Sequence, residues 1–104
     1  MATVVLPGSL LALFPGVARR QDVGGETVDA VIRALDTNAP GMRDRLVEEG
    51  PRLRPHINVF VDGQLADLAT RVAERSTVHV IPAVSGGQPA GRMFWLERNR
   101  LSGS

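Results

Sequence analysis

The stretch Thr77-Val78-His79-Val80-Ile81-Pro82-Ala83-Val84-Ser85-Gly86-Gly87 decides how the rest of this 104-residue chain is read. Val78, Val80, Ile81 and Val84 are apolar and mostly β-branched, the residue types that fill a pleated, at least half-buried strand. Pro82 has no backbone N–H to donate to a ladder, so the strand is expected to stop near Ile81. Beyond it the side chains lose bulk until Gly86 and Gly87 carry no Cβ at all. Such a backbone is thin enough to enter a narrow active site in extended form. It reads as a substrate tail rather than a turn.

Composition narrows what kind of domain carries that tail. At 11.2 kDa there is room for one small core and no second domain. With 43% hydrophobic and 22% charged residues, the chain has the make-up of an ordinary globule rather than a disordered or membrane protein. The absence of cysteine removes disulfides, thiolate metal sites and cysteine nucleophiles together. The net charge of +1 is unevenly spread: residues 1–87 carry nine arginines against ten acids, and residues 88–104 three arginines against one glutamate. In the body the two signs are interleaved, which argues against the one-sided basic face that nucleic acid requires. All twelve basic residues are arginine. Without lysine the chain offers only its N-terminal amine as an acceptor for isopeptide-type conjugation, although it can still be a donor.

Working back from the tail, Ala2–Leu6 is an expected first strand closed by Pro7-Gly8. Ser9–Phe14 is apolar, but no Lys or Arg precedes it and Pro7-Gly8 interrupts it, so it is expected to be a buried loop or 3₁₀ turn rather than a signal peptide, and the protein is expected to be cytoplasmic. Val17–Val23 follows the Pro15-Gly16 turn as an antiparallel second strand. Thr27 to about Asn38 is the clearest helix: Thr27 is a good N-cap, Asp29 suits the first turn, and Val28, Val31, Ile32 and Leu35 make one apolar stripe. Pro40-Gly41 ends it. Met42–Glu49 is expected to add a helical turn or two with Leu46 and Val47 inward and a solvated charged face. Leu53–Val61 is a third strand ended by the tight-turn pair Asp62-Gly63, with Ile57, Val59 and Val61 toward the core. Leu65–Val72 is expected to hold a brief edge strand.

This order, with the Ile-Pro-Ala-Val-x-Gly-Gly ending, resembles the β-grasp proteins: ubiquitin and, more closely, the bacterial sulfur carriers of the ThiS and MoaD kind, above all the actinobacterial carrier used in cysteine synthesis. The resemblance spans about residues 1–87 and is strongest at 56–63 and 76–87. It implies an α+β fold, a mixed sheet with one main helix on one face and the first and last strands parallel at its centre. It also implies that Gly86-Gly87 is the reacting terminus. In such carriers an E1-like enzyme adenylates the terminal glycine with ATP and a sulfur donor then displaces AMP to leave a thiocarboxylate, which a biosynthetic enzyme accepts. The chain itself is then no enzyme and binds no cofactor, ATP being used by its activating enzyme.

Phe60, His79, Ile81 and Val84 are the expected docking residues, since the alternation that turns Val78 and Val80 inward turns His79 and Ile81 outward beside Phe60. Neither His56 nor His79 has a partner at ligand spacing, so no metal site is expected. One feature departs from the family pattern: Gln88–Ser104 follow the diglycine, so Gly87 is amide-bonded. The resemblance implies a precursor, a carrier domain at 1–87 and an extension at 88–104 removed by a JAMM-type zinc metalloprotease. The extension holds Met93, Phe94, Trp95 and Leu96, an apolar cluster expected to pack on something, with Phe94 and Trp95 as its anchors. A second reading stays open, a non-reactive ubiquitin-like interaction module whose tail binds a partner or a second copy. Neither reading involves nucleic acid or a membrane.

Overall fold

Residues 1–82 are described by a computed structural model, and they build a five-stranded sheet with the helices on one side. The strands of that sheet are β1 (Ala2–Val5), β2 (Arg20–Val23), β5 (Ile57–Val61), β6 (Gln64–Ala66) and β7 (Thr77–Pro82), in the order β2-β1-β7-β5-β6. The helices are α1 (Gly8–Leu13), α2 (Val28–Asn38) and α3 (Met42–Leu46), and a separate two-stranded ribbon joins β3 (Val47–Glu48) to β4 (Arg52–Leu53). β7 lies at the centre, parallel to β1 and antiparallel to β5. Every other pairing in the large sheet is antiparallel. A mixed sheet with a parallel central pair, crossed by one long helix, is the layout that the β-grasp resemblance implied.

α2 forms where its sequence signals put it. Thr27 is extended and its hydroxyl accepts from the Ala30 N–H at 3.1 Å, satisfying one of the first-turn donors. Asp29 sits in the first turn and pairs with Arg33 at 2.9 Å. Val28, Val31, Ile32 and Leu35 are all buried against the sheet. Burying each of these side chains contributes on the order of 1.5–3 kcal/mol before chain ordering is charged against it. From the sheet, Ala2, Val4, Val23, Ile57, Val59, Val61, Val78 and Val80 meet them. Gly25, just before the helix, cannot be replaced cheaply. Its φ is +149°, and a Cβ there would lie 2.7 Å from the Val31 nitrogen.

The Asp62-Gly63 hairpin is also as expected: both residues have positive φ, +51° and +85°, and Val61 pairs with Gln64 across a two-residue loop. Asp62 then does a second job. Its carboxylate accepts from the Thr77 N–H at 2.9 Å and from the Ser76 hydroxyl at 2.7 Å, and its own N–H donates to the Thr77 carbonyl at 2.9 Å. This ties the start of β7 to the β5–β6 turn. The backbone donation from Thr77, helped by that from Ser76, holds the Asp62 carboxyl below the ordinary aspartate range. A carboxyl lowered in the folded state contributes stability above its unfolded pKa, about 4, and loses it as pH falls through the folded value. Asp62→Asn should therefore lower Tm at pH 7, and the gap to wild type should narrow on acidification below about pH 4. Thermal melts across that range check it; a gap that stays constant would show that the charge is irrelevant.

Four expectations need correction. Ser9–Phe14 is not a buried loop or 3₁₀ turn: Gly8–Leu13 is an α-helix, with the Pro7 carbonyl accepting from Leu10 and Leu11, and of its residues only Leu10 is buried. Ser, Leu and Ala there are competent helix formers, and Pro7 at the N-cap needs no N–H. The second strand begins at Arg20, not Val17, because Pro15-Gly16 turns the chain and Gly16 takes a positive φ of 94°. The stretch from Leu53 is interrupted at Pro55, leaving β4 and β5 as separate strands. Finally, α3 stops at Leu46. Val47 and Glu48 pair with Leu53 and Arg52 instead, although Leu46 and Val47 do point inward.

Candidate functional site

The face of the sheet turned away from α2 is built by strand alternation. Val78 and Val80 are inside, so Thr77, His79 and Ile81 are outside. β5 alternates in the opposite register, with Asn58 and Phe60 outside. His79 pairs directly with Phe60 across β7 and β5, and on its other side with Val5 of β1. Phe60 in turn pairs with Leu65 of β6, and Val5 with Arg20 of β2. One row of side chains thus crosses the whole sheet: Arg20, Val5, His79, Phe60, Leu65. Val5, His79 and Phe60 are half-buried, Leu65 is 69% exposed, and Ile81, two residues along β7 and opposite Asn58, is 42% exposed. Val5, Phe60, Leu65 and Ile81 thus make an outward-facing apolar strip with an imidazole at its centre, the kind of surface a partner can cover.

Of the residues singled out from the sequence, Phe60, His79 and Ile81 are brought together on this face. Val84, Gly86, Gly87, Phe94 and Trp95 lie outside the described residues. Leu65, Val5 and Arg20 belong to the same row and were missed. Leu65 was legible in principle: a two-residue Asp62-Gly63 loop fixes Val61 opposite Gln64, which puts Leu65 opposite Phe60. Among the described residues no group of three or more His, Asp or Glu side chains is gathered as a metal would require. No helix among them is long and apolar enough to cross a membrane.

The strip leads to the point where the chain leaves the sheet. β7 runs parallel to β1, so Pro82 lies at the end of the sheet where β1 passes into Leu6 and Pro7 and where β5 begins at Ile57, its partner. The reacting-terminus candidates Gly86 and Gly87 are four and five residues farther on. The sheet therefore presents an apolar strip, and in the sequence a diglycine follows shortly after its central strand.

A sheet of this order, one main helix across it and a diglycine after the central strand define a ubiquitin-like β-grasp protein of the carrier and modifier class. The chain belongs to the ThiS family, whose model matches residues 4–87. The sulfur carrier protein CysO of Mycobacterium tuberculosis is 31% identical over 91 residues, covering 82% of this chain and 97% of that protein. Small archaeal modifier protein 3 of Haloferax volcanii is 37% identical over 65 residues, covering 59% of this chain and 70% of the relative. Among solved structures, the Amycolatopsis orientalis BexX/CysO complex contains a chain matching this one with a TM-score of 0.74 at 30% identity, covering 84% of this chain and all of that one. These relatives are carriers and modifiers rather than enzymes. The family match ends at Gly87.

Proposed function

We propose that residues 1–87 are a sulfur carrier that works through the Gly87 carboxylate after residues 88–104 are removed. The observation that carries this is the family match, which starts in β1 and stops at the second glycine, leaving the last seventeen residues outside it. In the chain as written Gly87 is an amide and cannot be adenylated. A JAMM-type metalloprotease would supply a zinc-activated water that attacks the Gly87 carbonyl; the C–N bond to Gln88 breaks and the Gln88 amine leaves. The freed carboxylate then attacks the α-phosphorus of ATP on an E1-like enzyme, expelling pyrophosphate and forming an acyl adenylate. Sulfide attacks that carbonyl and expels AMP, leaving a thiocarboxylate; a persulfide donor would instead give an acyl disulfide, whose S–S bond a thiol then reduces to the same thiocarboxylate. With no cysteine in the chain, the sulfur is carried on the terminus and not on a side chain.

In this reading the strip of Phe60, His79 and Ile81, extended by Leu65 and Val5, docks the activating enzyme and then the sulfur-accepting biosynthetic enzyme, and Val84 is a further docking residue. Cysteine is the favoured product, since the carriers most alike in the tail serve cysteine synthesis; molybdopterin, thiamin and thiolated metabolites are the other acceptor classes. One observation favours a second reading: the amide at Gly87 makes the chain, untrimmed, a non-reactive interaction module whose tail binds a partner or a second copy. The intact mass of the protein recovered from its own host separates the two. A species ending at Gly87, heavier by the exchange of one oxygen for sulfur, is expected; full-length chain alone under active sulfur metabolism would refute the carrier.

A further inference from the structure

At the end of the sheet where β7 leaves it, the described residues enclose an open cleft of about 620 Å³. Leu13 and Phe14 come from the end of α1, Pro40 and Gly41 from the α2–α3 connection, Asp44 and Arg45 from α3, and Arg54 and His56 from the segment leading into β5. Leu13 is 50% exposed, and among the described residues it is the one large exposed apolar side chain lining this cleft. Phe14 is half-buried beside it. Arg54 is held by a 2.8 Å bond from its Nε to the Asp44 carbonyl, and neither it nor Arg45 has a carboxylate within ion-pair distance among the described residues. The result is an apolar wall beside a rim that carries Arg45, an oriented Arg54 and Asp44.

We infer that this cleft is the seat of the chain's own extension, with Phe94 and Trp95 on Leu13 and Phe14. Three observations lead there. The first is position: His56 directly precedes Ile57, which pairs with Pro82, so the chain leaves the sheet beside the cleft. The second is length. Phe94 and Trp95 are twelve and thirteen residues beyond Pro82, and twelve residues span about 20 Å by chain statistics, enough to cross one end of a small domain without being stretched. The third is chemistry. The quartet Met93-Phe94-Trp95-Leu96 supplies two of the chain's four aromatic residues to an apolar wall, and Glu97, the only acid in the extension, follows it directly and is complementary to Arg45 and Arg54 on the rim. Asp44 on the same rim is complementary to the extension's arginines. Tethering makes such seating easy, because a segment joined to the domain through a short stretch of chain is presented at an effective concentration of about the millimolar range.

The strip on the opposite face of the sheet stays free in this arrangement. Cleavage would then both create the carboxylate and release the segment that bears it. The seating itself holds whether or not the extension is ever removed, so it stands or falls apart from the carrier reading.

Trp95 is the chain's only tryptophan, so the fluorescence of the full-length protein reports this residue alone. Its emission maximum should be blue-shifted from that of the free peptide 88–104, and its quenching by acrylamide several-fold weaker. Leu13→Asp, at an exposed position that the core does not need, should move both readings toward the free peptide. Phe60→Asp should move neither, and dilution should change nothing. Emission like that of the free peptide would overturn the inference. So would a shift caused by Phe60→Asp, which would put the seat on the docking strip, or one that disappears on dilution, which would make the occupant a second copy.

Discussion

With activating enzyme, ATP and sulfide, a chain ending at Gly87 is expected to be thiocarboxylated readily, the same chain carrying Gly87→Ala slower by on the order of a hundredfold or more, and the full-length chain not at all. The reason lies at the terminus, not in the fold. Every buried core residue of the described structure lies between Ala2 and Val80, so neither removing residues 88–104 nor adding a methyl group at position 87 disturbs the sheet or α2. What changes is the fit around the reacting carbon. Adenylation needs the carboxylate aligned with the α-phosphorus and the following step needs the carbonyl open to a sulfur nucleophile. A Cβ on the adjacent carbon crowds both approaches and removes the backbone conformations that only glycine reaches freely. Misplacing reacting atoms by about 1 Å is enough for a loss of that size. Intact-mass kinetics alongside thermal melts check the result. Equal rates for the trimmed chain with and without Gly87→Ala, at equal Tm, would show that the chemistry needs no glycine at position 87; no thiocarboxylate from either chain would leave the binding-module reading. Partner binding should survive the substitution in either case.

How much of this was legible without coordinates differs from element to element for physical reasons. α2 was legible because independent signals agree: a threonine cap, an acid in the first turn, four apolar residues at helical spacing and a Pro-Gly stop. β5 and β6 were legible at their junction because Asp-Gly demands two positive φ values, which few other structures use. α1 was not, because six residues are too few to show a period and Pro7-Gly8 looks like an interruption until Pro7 is seen to cap. β3 and β4 are two residues each, and nothing in Val47-Glu48 or Arg52-Leu53 asks for a strand. They are set by tertiary contacts, including the bond from the Arg54 N–H to the Leu46 carbonyl. The site divides in the same way. Phe60 and His79 could be placed side by side from two alternations, but Val5 and Arg20 could not, since their registers depend on how β1 lies against β7 and β2, fixed in part by the bond from the Thr3 N–H to the Ser76 carbonyl.

That cross-sheet row supplies the second large effect. Phe60→Asp is expected to weaken activation by about thirtyfold or more, the loss typical of a central aromatic anchor at an interface, with kcat little changed and the effect in KM. Phe60 is suited to anchor because it stands between His79 and Leu65 in the middle of the strip, half-buried by its neighbours and therefore held in place before a partner arrives. An aspartate there would have to be desolvated in the complex without a partner. Folding should suffer little, since the side chain faces away from the Val59 side of β5 that packs on α2; loss of the cross-strand pairs should cost on the order of 0.2–1 kcal/mol each. Leu65→Asp, at the exposed end of the row, should give a smaller loss of the same kind, and an exposed substitution on the helical side, such as Arg33→Ala, none. This gradient separates docking from general damage. If Phe60→Asp raises KM no more than Arg33→Ala does, the strip is not where the activating enzyme binds, and the partner must grip the carrier by its tail alone.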